Sequence, residues 1–144
     1  MAQSLAAIGA LLFIAMGAVH GAFTLRDVFD PKSFTPTDPN VREAMRGARL
    51  AFNPRANVWQ AWLGFNLSHS LGLLVFGGAL LAFSWGQFEV FANSLLLQAF
   101  TLLVAASYFV LSVRFWFWGP AVGTGAALLC LLASAVLSWR HAAA

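Results

Sequence analysis

The sequence predicts an all-α integral membrane protein: a four-transmembrane-helix bundle with a cytoplasmic amphipathic helix between spans one and two. Three observations carry this. Of the 144 residues, 60% are hydrophobic and only 9% are charged, against roughly 25% charged in soluble domains. That leaves too few charges to coat a globule. Four uninterrupted runs rich in Leu and Ala each reach the ~20 residues a helix needs to cross a hydrocarbon core ~30 Å thick. Long runs of this kind fit helices rather than barrel strands. All 6 tryptophans fall near the ends of those runs, where indole prefers the headgroup level. The length fits a single domain, 1–144.

Span one is expected at about 5–25. No Lys or Arg precedes it, so it reads as a retained span rather than a cleaved signal peptide. The segment from Arg26 to Asn57 is too long for a turn. Pro31, Pro36 and Pro39 break its first half. Asp38 then suits an N-cap with Pro39 as the first helical residue, which predicts a loop helix over about 39–52. On that helix Val41, Met45, Ala48 and Phe52 form an apolar stripe, and Arg42, Arg46 and Arg49 a basic one suited to anionic lipid headgroups. Asn53 and Pro54 end it. Span two is expected at about 58–84, between Trp59 and Trp62 at its start and Trp85 at its end. Span three covers about 91–113 and span four about 120–139, closed by Trp139.

Orientation follows from the basic residues. Arg26, Lys32, Arg42, Arg46, Arg49, Arg55 and Arg114 fall on one side of the expected spans, and Arg140, beside His141, on the other. The positive-inside rule puts the long loop in the cytoplasm and both termini outside, as in a multi-pass protein of a bacterial inner membrane. Small residues recur four apart: Gly17 and Gly21; Gly64, Ser68 and Gly72; Gly119, Gly123 and Ala127. Such spacing lets helix backbones approach closely, within the chain or against another subunit. Cys130 is the one cysteine, so an internal disulfide and a Cys-rich metal site are excluded. No nucleophile triad, phosphate loop or nucleotide-binding glycine pattern is present, and no nucleic-acid partner is expected.

The chemistry, if any, lies in polar groups inside the spans, where ionisable residues suggest function. His20, Thr24 and Asp27 share one face of span one, and Asn66 and His69 one face of span two. Ser94, Gln98, Thr101, Tyr108 and Ser112 recur at steps of four and three or their sums on span three, a polar stripe expected to face the bundle interior. The resulting expectation is a pocket in the cytoplasmic half, with Tyr108 or Ser112 approaching the two histidines and Arg114 either closing it or snorkelling to the interface. The histidines could be axial ligands of a b-type haem. They could bind a metal ion, with Asp27 as third ligand or orienter of His20. They could act as acid and base on a lipophilic substrate such as a quinone or a sterol-like molecule, or simply tie two helices together.

The segments Gly17–His20, Phe34–Met45 and Asn66–Gly72 resemble parts of small, uncharacterised bacterial four-helix membrane protein families: a His late in helix one, a proline-containing amphipathic loop, and Asn-x-Ser-His-Ser-x-Gly in helix two. The resemblance implies the four-span architecture and no activity. The expected function is binding of a small lipophilic ligand, or of a haem or metal cofactor, at the histidine pocket. The alternative is a non-catalytic accessory or assembly subunit of a larger membrane complex, with other membrane subunits or a second copy as partner.

Overall fold

The computed structural model describes residues 1–142, with side chains as far as Trp139; Arg140 and His141, which entered the charge count above, lie outside the described side chains. Helix α1 spans Ala2–Phe29. It stops at Asp30 and Pro31, since a residue before proline is pushed out of the helical region. Helix α2, Pro39–Gly47, starts as the sequence requires: Asp38 accepts from the Asn40 amide at 2.8 Å, and Pro39 occupies the first turn.

The loop helix is shorter than expected, and the segment after it is not helical. In place of a helix to residue 52, strands β1 (Arg49–Leu50) and β2 (Asn53–Asn57) form an antiparallel hairpin, with Arg49 opposite Asn57 and Leu50 opposite Asn53. Ala48 and Phe52 therefore do not continue the stripe of Val41 and Met45. Two causes are local. Pro54 disfavours helix at Asn53. Asn57 accepts from the Gln60 amide at 2.8 Å, and the Gln60 side chain returns to the Asn57 amide at 3.4 Å. This reciprocal cap sets the start of the next helix after Asn57.

That helix, α3, is Val58–Gly86. A short helix α4, Phe88–Asn93, follows and occupies the expected turn and the start of the expected third span. Helix α5 begins only at Leu95 and runs to Phe115, and helix α6 is Trp118–Ala142. Ser94 is thus the N-cap of α5, accepting from Leu97 N at 3.3 Å, rather than the first member of a helical stripe. Gln98 donates from Nε2 to the Phe91 and Ala92 carbonyls at 3.2 and 2.5 Å, which satisfies the C-terminal end of α4.

Four of these helices, α1, α3, α5 and α6, are long and apolar enough to cross a membrane. Their surfaces agree. Leu96, Leu103 and Leu129 are 79, 67 and 67% exposed, whereas Thr24, Asp27, Asn66, Gln98 and Ser134 are buried. Apolar outside and polar inside inverts the soluble pattern and suits a lipid surround.

The described chain forms two units, Met1–Met16 with Leu73 onward, and Gly17–Gly72. The first packs the N-terminal half of α1, the C-terminal half of α3, α4, α5 and α6 around Ala6, Ala10, Phe13, Leu73, Ala105, Ala127 and Leu131. Phe13 is its aromatic hub, edge-on to Phe76 at 4.9 Å and to Tyr108 at 5.8 Å. Two hydrogen bonds tie down the start of α1: Gln3 Nε2 to Ser84 O at 2.7 Å, and Ser134 Oγ to Ala2 O at 2.9 Å. Close backbone approach occurs where glycines remove side chains. A Cβ on Gly77 would stand 2.8 Å from Ala10 O, and one on Gly9 would stand 2.9 Å from Leu131 Cγ. Neither glycine belongs to the small-residue series read from the sequence. Gly123 does, and it accommodates the Met16 sulfur; around Gly64 there is open space.

Candidate functional site

The second unit holds the two histidines. On α1, spacings of four and three put His20, Thr24 and Asp27 on one face. Thr24 is fully buried and donates from Oγ1 to His20 O at 2.9 Å, so its hydroxyl is spent within its own helix.

Asp27 is also fully buried, and its carboxylate organises the loop that follows. Oδ1 accepts from the amides of Lys32 and Ser33 at 2.9 and 2.8 Å, and Oδ2 accepts from the Phe34 amide at 2.6 Å and the Thr35 hydroxyl at 3.1 Å. Four donors on two oxygens wrap residues 32–35 around the end of α1. A carboxylate is the natural centre for such a nest because it only accepts. The ion pairs nearby, Asp30 with Arg26 and with Lys32, are exposed and contribute little.

Phe34 is held from both sides. Its amide donates to Asp27, and its carbonyl accepts from Trp62 Nε1 at 2.9 Å. Its ring then lies against the His20 ring, centroids 4.5 Å apart and planes tilted by 33°. Trp62 therefore fastens the loop to α3, and Trp59 is buried, so these two are structural anchors rather than headgroup seekers.

From α3, Asn66 donates from Nδ2 to Trp62 O at 2.8 Å, which points Oδ1 towards His20 Nε2 at 3.1 Å. An amide oxygen only accepts, so Nε2 is the donor in this bond. His69 stands one turn along the same face. Its ring is 5.2 Å from that of His20, inclined by 60°, with Phe65 at 6.5 Å on a nearly parallel plane. Gly21 and Ser70 meet beside the pair: a Cβ on Gly21 would touch Ser70 Cβ at 3.4 Å. Ser33, Phe34, Thr35, Pro36, Met45 and Trp62 line an adjoining groove of about 480 Å³. Phe34 thus meets His20 with its ring and also forms part of that groove.

The structure brings together His20, Asn66 and His69, with Phe34 and Trp62 beside them. The remaining candidates have contacts of their own. Asp27 serves the loop rather than a metal or His20. Among the described residues no group of three or more His, Cys, Asp and Glu side chains is placed to hold a metal ion. The paired rings do not fit the haem expectation either. A coordinated imidazole nitrogen stands about 2 Å from its metal, so axial ligands on opposite faces need iron and macrocycle between them; rings at 5.2 Å and 60° leave no such gap. Tyr108 lies in the first unit against Phe13. In the same unit, Gln98, Thr101 and Ser112 do share a buried face of α5, but Gln98 caps α4 and Ser112 bonds Tyr108 O at 2.8 Å. Arg42, Arg46 and Arg49 make no ion pair among the described residues. They sit on α2 and β1, and no residue of α2 is buried.

Phe34 and Trp62 carry no motif. Their signal was an aromatic residue set between Pro31 and Pro36 in an otherwise polar loop, and an indole one turn before Asn66. Compared with protein-family models, curated proteins and solved structures, the chain matches none.

Proposed function

We propose that the protein is a small multi-pass membrane protein that binds a lipophilic molecule with a hydrogen-bonding head, such as a quinone, at His20 and His69. The observation that carries this reading is the convergence of His20, Asn66 and His69 from two apolar helices, with the Phe34 ring against His20. Two adjacent imidazoles offer a donor and an acceptor to a carbonyl or hydroxyl, which hydrocarbon cannot. The groove bounded by Phe34, Met45 and Trp62 would take the apolar remainder. Because Trp62 lines that groove, binding of a short-chain ubiquinone analogue to detergent-purified protein should quench part of the tryptophan fluorescence. The double substitution His20→Ala, His69→Ala is expected to weaken binding at least tenfold while leaving the helical circular dichroism unchanged. Equal affinity in the folded double variant would overturn the reading.

The same proposal includes an orientation. The loop 26–57, with Arg42, Arg46 and Arg49 against anionic headgroups, faces the cytoplasm of a bacterial inner membrane, and both termini face outward. With Cys130 replaced by alanine, a cysteine introduced at Thr37 should stay shielded from a membrane-impermeant maleimide in intact cells, and one at Gln3 should react. The reverse labelling would refute this orientation.

A further inference from the structure

Helix α5 carries a second groove, of about 350 Å³, lined by Phe109, Val110, Val113 and Arg114. Its partner helix explains how the Phe109 ring is seated. A Cβ on Gly125 of α6 would stand 3.1 Å from Phe109 Cε2, so the ring lies against bare α6 backbone. Val110 and Val113, each 61% exposed, present the outer wall. Arg114, in the last turn of α5, also lines the groove. Its guanidinium makes no ion pair among the described residues, and the aromatic ring beside it is that of its neighbour Phe115, at 5.9 Å. Phe115, Phe117 and Trp118 are exposed around this helix end, an aromatic rim of the kind found at the headgroup level.

An apolar groove on a long apolar helix, lined also by a cation that makes no ion pair among the described residues and stands beside an aromatic rim, suits an amphiphile with an acyl chain followed by an anionic head. We propose that this groove binds an anionic phospholipid, its chain along Val110 and Val113 and its phosphate on Arg114. The guanidinium fork suits phosphate oxygens. A zwitterionic lipid brings its own cation to the phosphate and gains less from Arg114.

Native mass spectrometry of the full chain in detergent tests this. Phosphatidylglycerol and phosphatidylcholine with identical chains would be offered in competition. The wild-type protein is expected to retain phosphatidylglycerol about fivefold more, the equivalent of about 1 kcal/mol for one basic side chain at the surface. Arg114→Gln should abolish that preference. Val110→Trp, which fills the groove from an exposed position, should reduce retention of both lipids. The proposal is overturned if the preference survives Arg114→Gln, or if Val110→Trp leaves retention of both lipids unchanged. It is equally overturned if soluble glycerol phosphate displaces the lipid, since the chain would then contribute nothing.

Discussion

Gly77→Val is expected to deprive the protein of its stable fold in detergent. At this position α3 and α1 approach closely. A Cβ there would lie 2.8 Å from Ala10 O, 2.8 Å from Ile14 Cγ1 and 2.9 Å from Ile14 N. Two of those three atoms are backbone, so no rotamer change relieves the clash, and the helices must separate. Separation would loosen Ala10 and Phe13, both at 0% exposure, at the centre of the apolar core. Overpacking typically costs about 1–3 kcal/mol. With the obstacle in backbone, Gly77→Ala belongs at the upper end and the bulkier valine beyond it. A loss of roughly 3 kcal/mol lowers the Tm of a domain of this size by roughly 10 °C. The neighbouring residue is the control. Nothing lies within 4 Å of a Cβ on Gly78, and alanine is favoured over glycine in a helix by about 1 kcal/mol. Gly78→Ala should therefore leave Tm unchanged or raise it. A Gly77→Val protein that melts with the wild type would refute the close approach, as would a Gly78→Ala protein damaged as badly as Gly77→Ala.

The contrast between these adjacent glycines marks how far the fold was legible in the sequence. Apolar runs and tryptophan placement located all four long helices, because hydrocarbon imposes a minimum length and an apolar composition on any span. They could not say which side of a helix meets another helix. In soluble proteins polar residues mark the outer face; here nearly every face is apolar, and Gly77 differs from Gly78 only through what stands opposite. Spacing arguments favoured Gly64, Ser68 and Gly72, yet Gly64 meets nothing. The boundary errors have a different origin. Ser94 read as a stripe member because its spacing to Gln98 is helical, but a serine is also a strong N-cap, and capping prevailed. At 48–57 the apolar period of the loop helix continued past its true end, while Pro54 and the Asn57–Gln60 reciprocal cap divided the segment.

The candidate site was legible where polarity stands out against hydrocarbon. His20, Asn66 and His69 were conspicuous, and their proximity followed from similar depth on two helices. Asp27 was conspicuous too, but its role was not. A carboxylate near two imidazoles suggests coordination, whereas its actual donors are backbone amides of the loop, which no side-chain pattern reveals.

Asp27→Ala is accordingly expected to release the loop and destabilise the second unit. Hydrogen bonds to a charged acceptor contribute about 1.5–3 kcal/mol each, and an unsatisfied buried donor costs about 1–3 kcal/mol. Lys32 and Ser33 are exposed enough for water to replace part of the loss. Phe34 is not, because Trp62 holds its carbonyl and His20 faces its ring. A net loss of roughly 3 kcal/mol follows. Asp27→Asn tests the chemistry more finely: it keeps the shape but turns an NH2 group towards donors on one side, so it should fall between alanine and wild type. Amide hydrogen exchange separates this reading from a metal-ligand role. In Asp27→Ala the amides of Lys32, Ser33 and Phe34 should lose protection together, and Trp62→Phe should loosen Phe34 by removing the other clamp. Were Asp27 a metal ligand instead, those three amides would keep their protection in metal-free Asp27→Ala protein, and added metal would raise the Tm of the wild type alone.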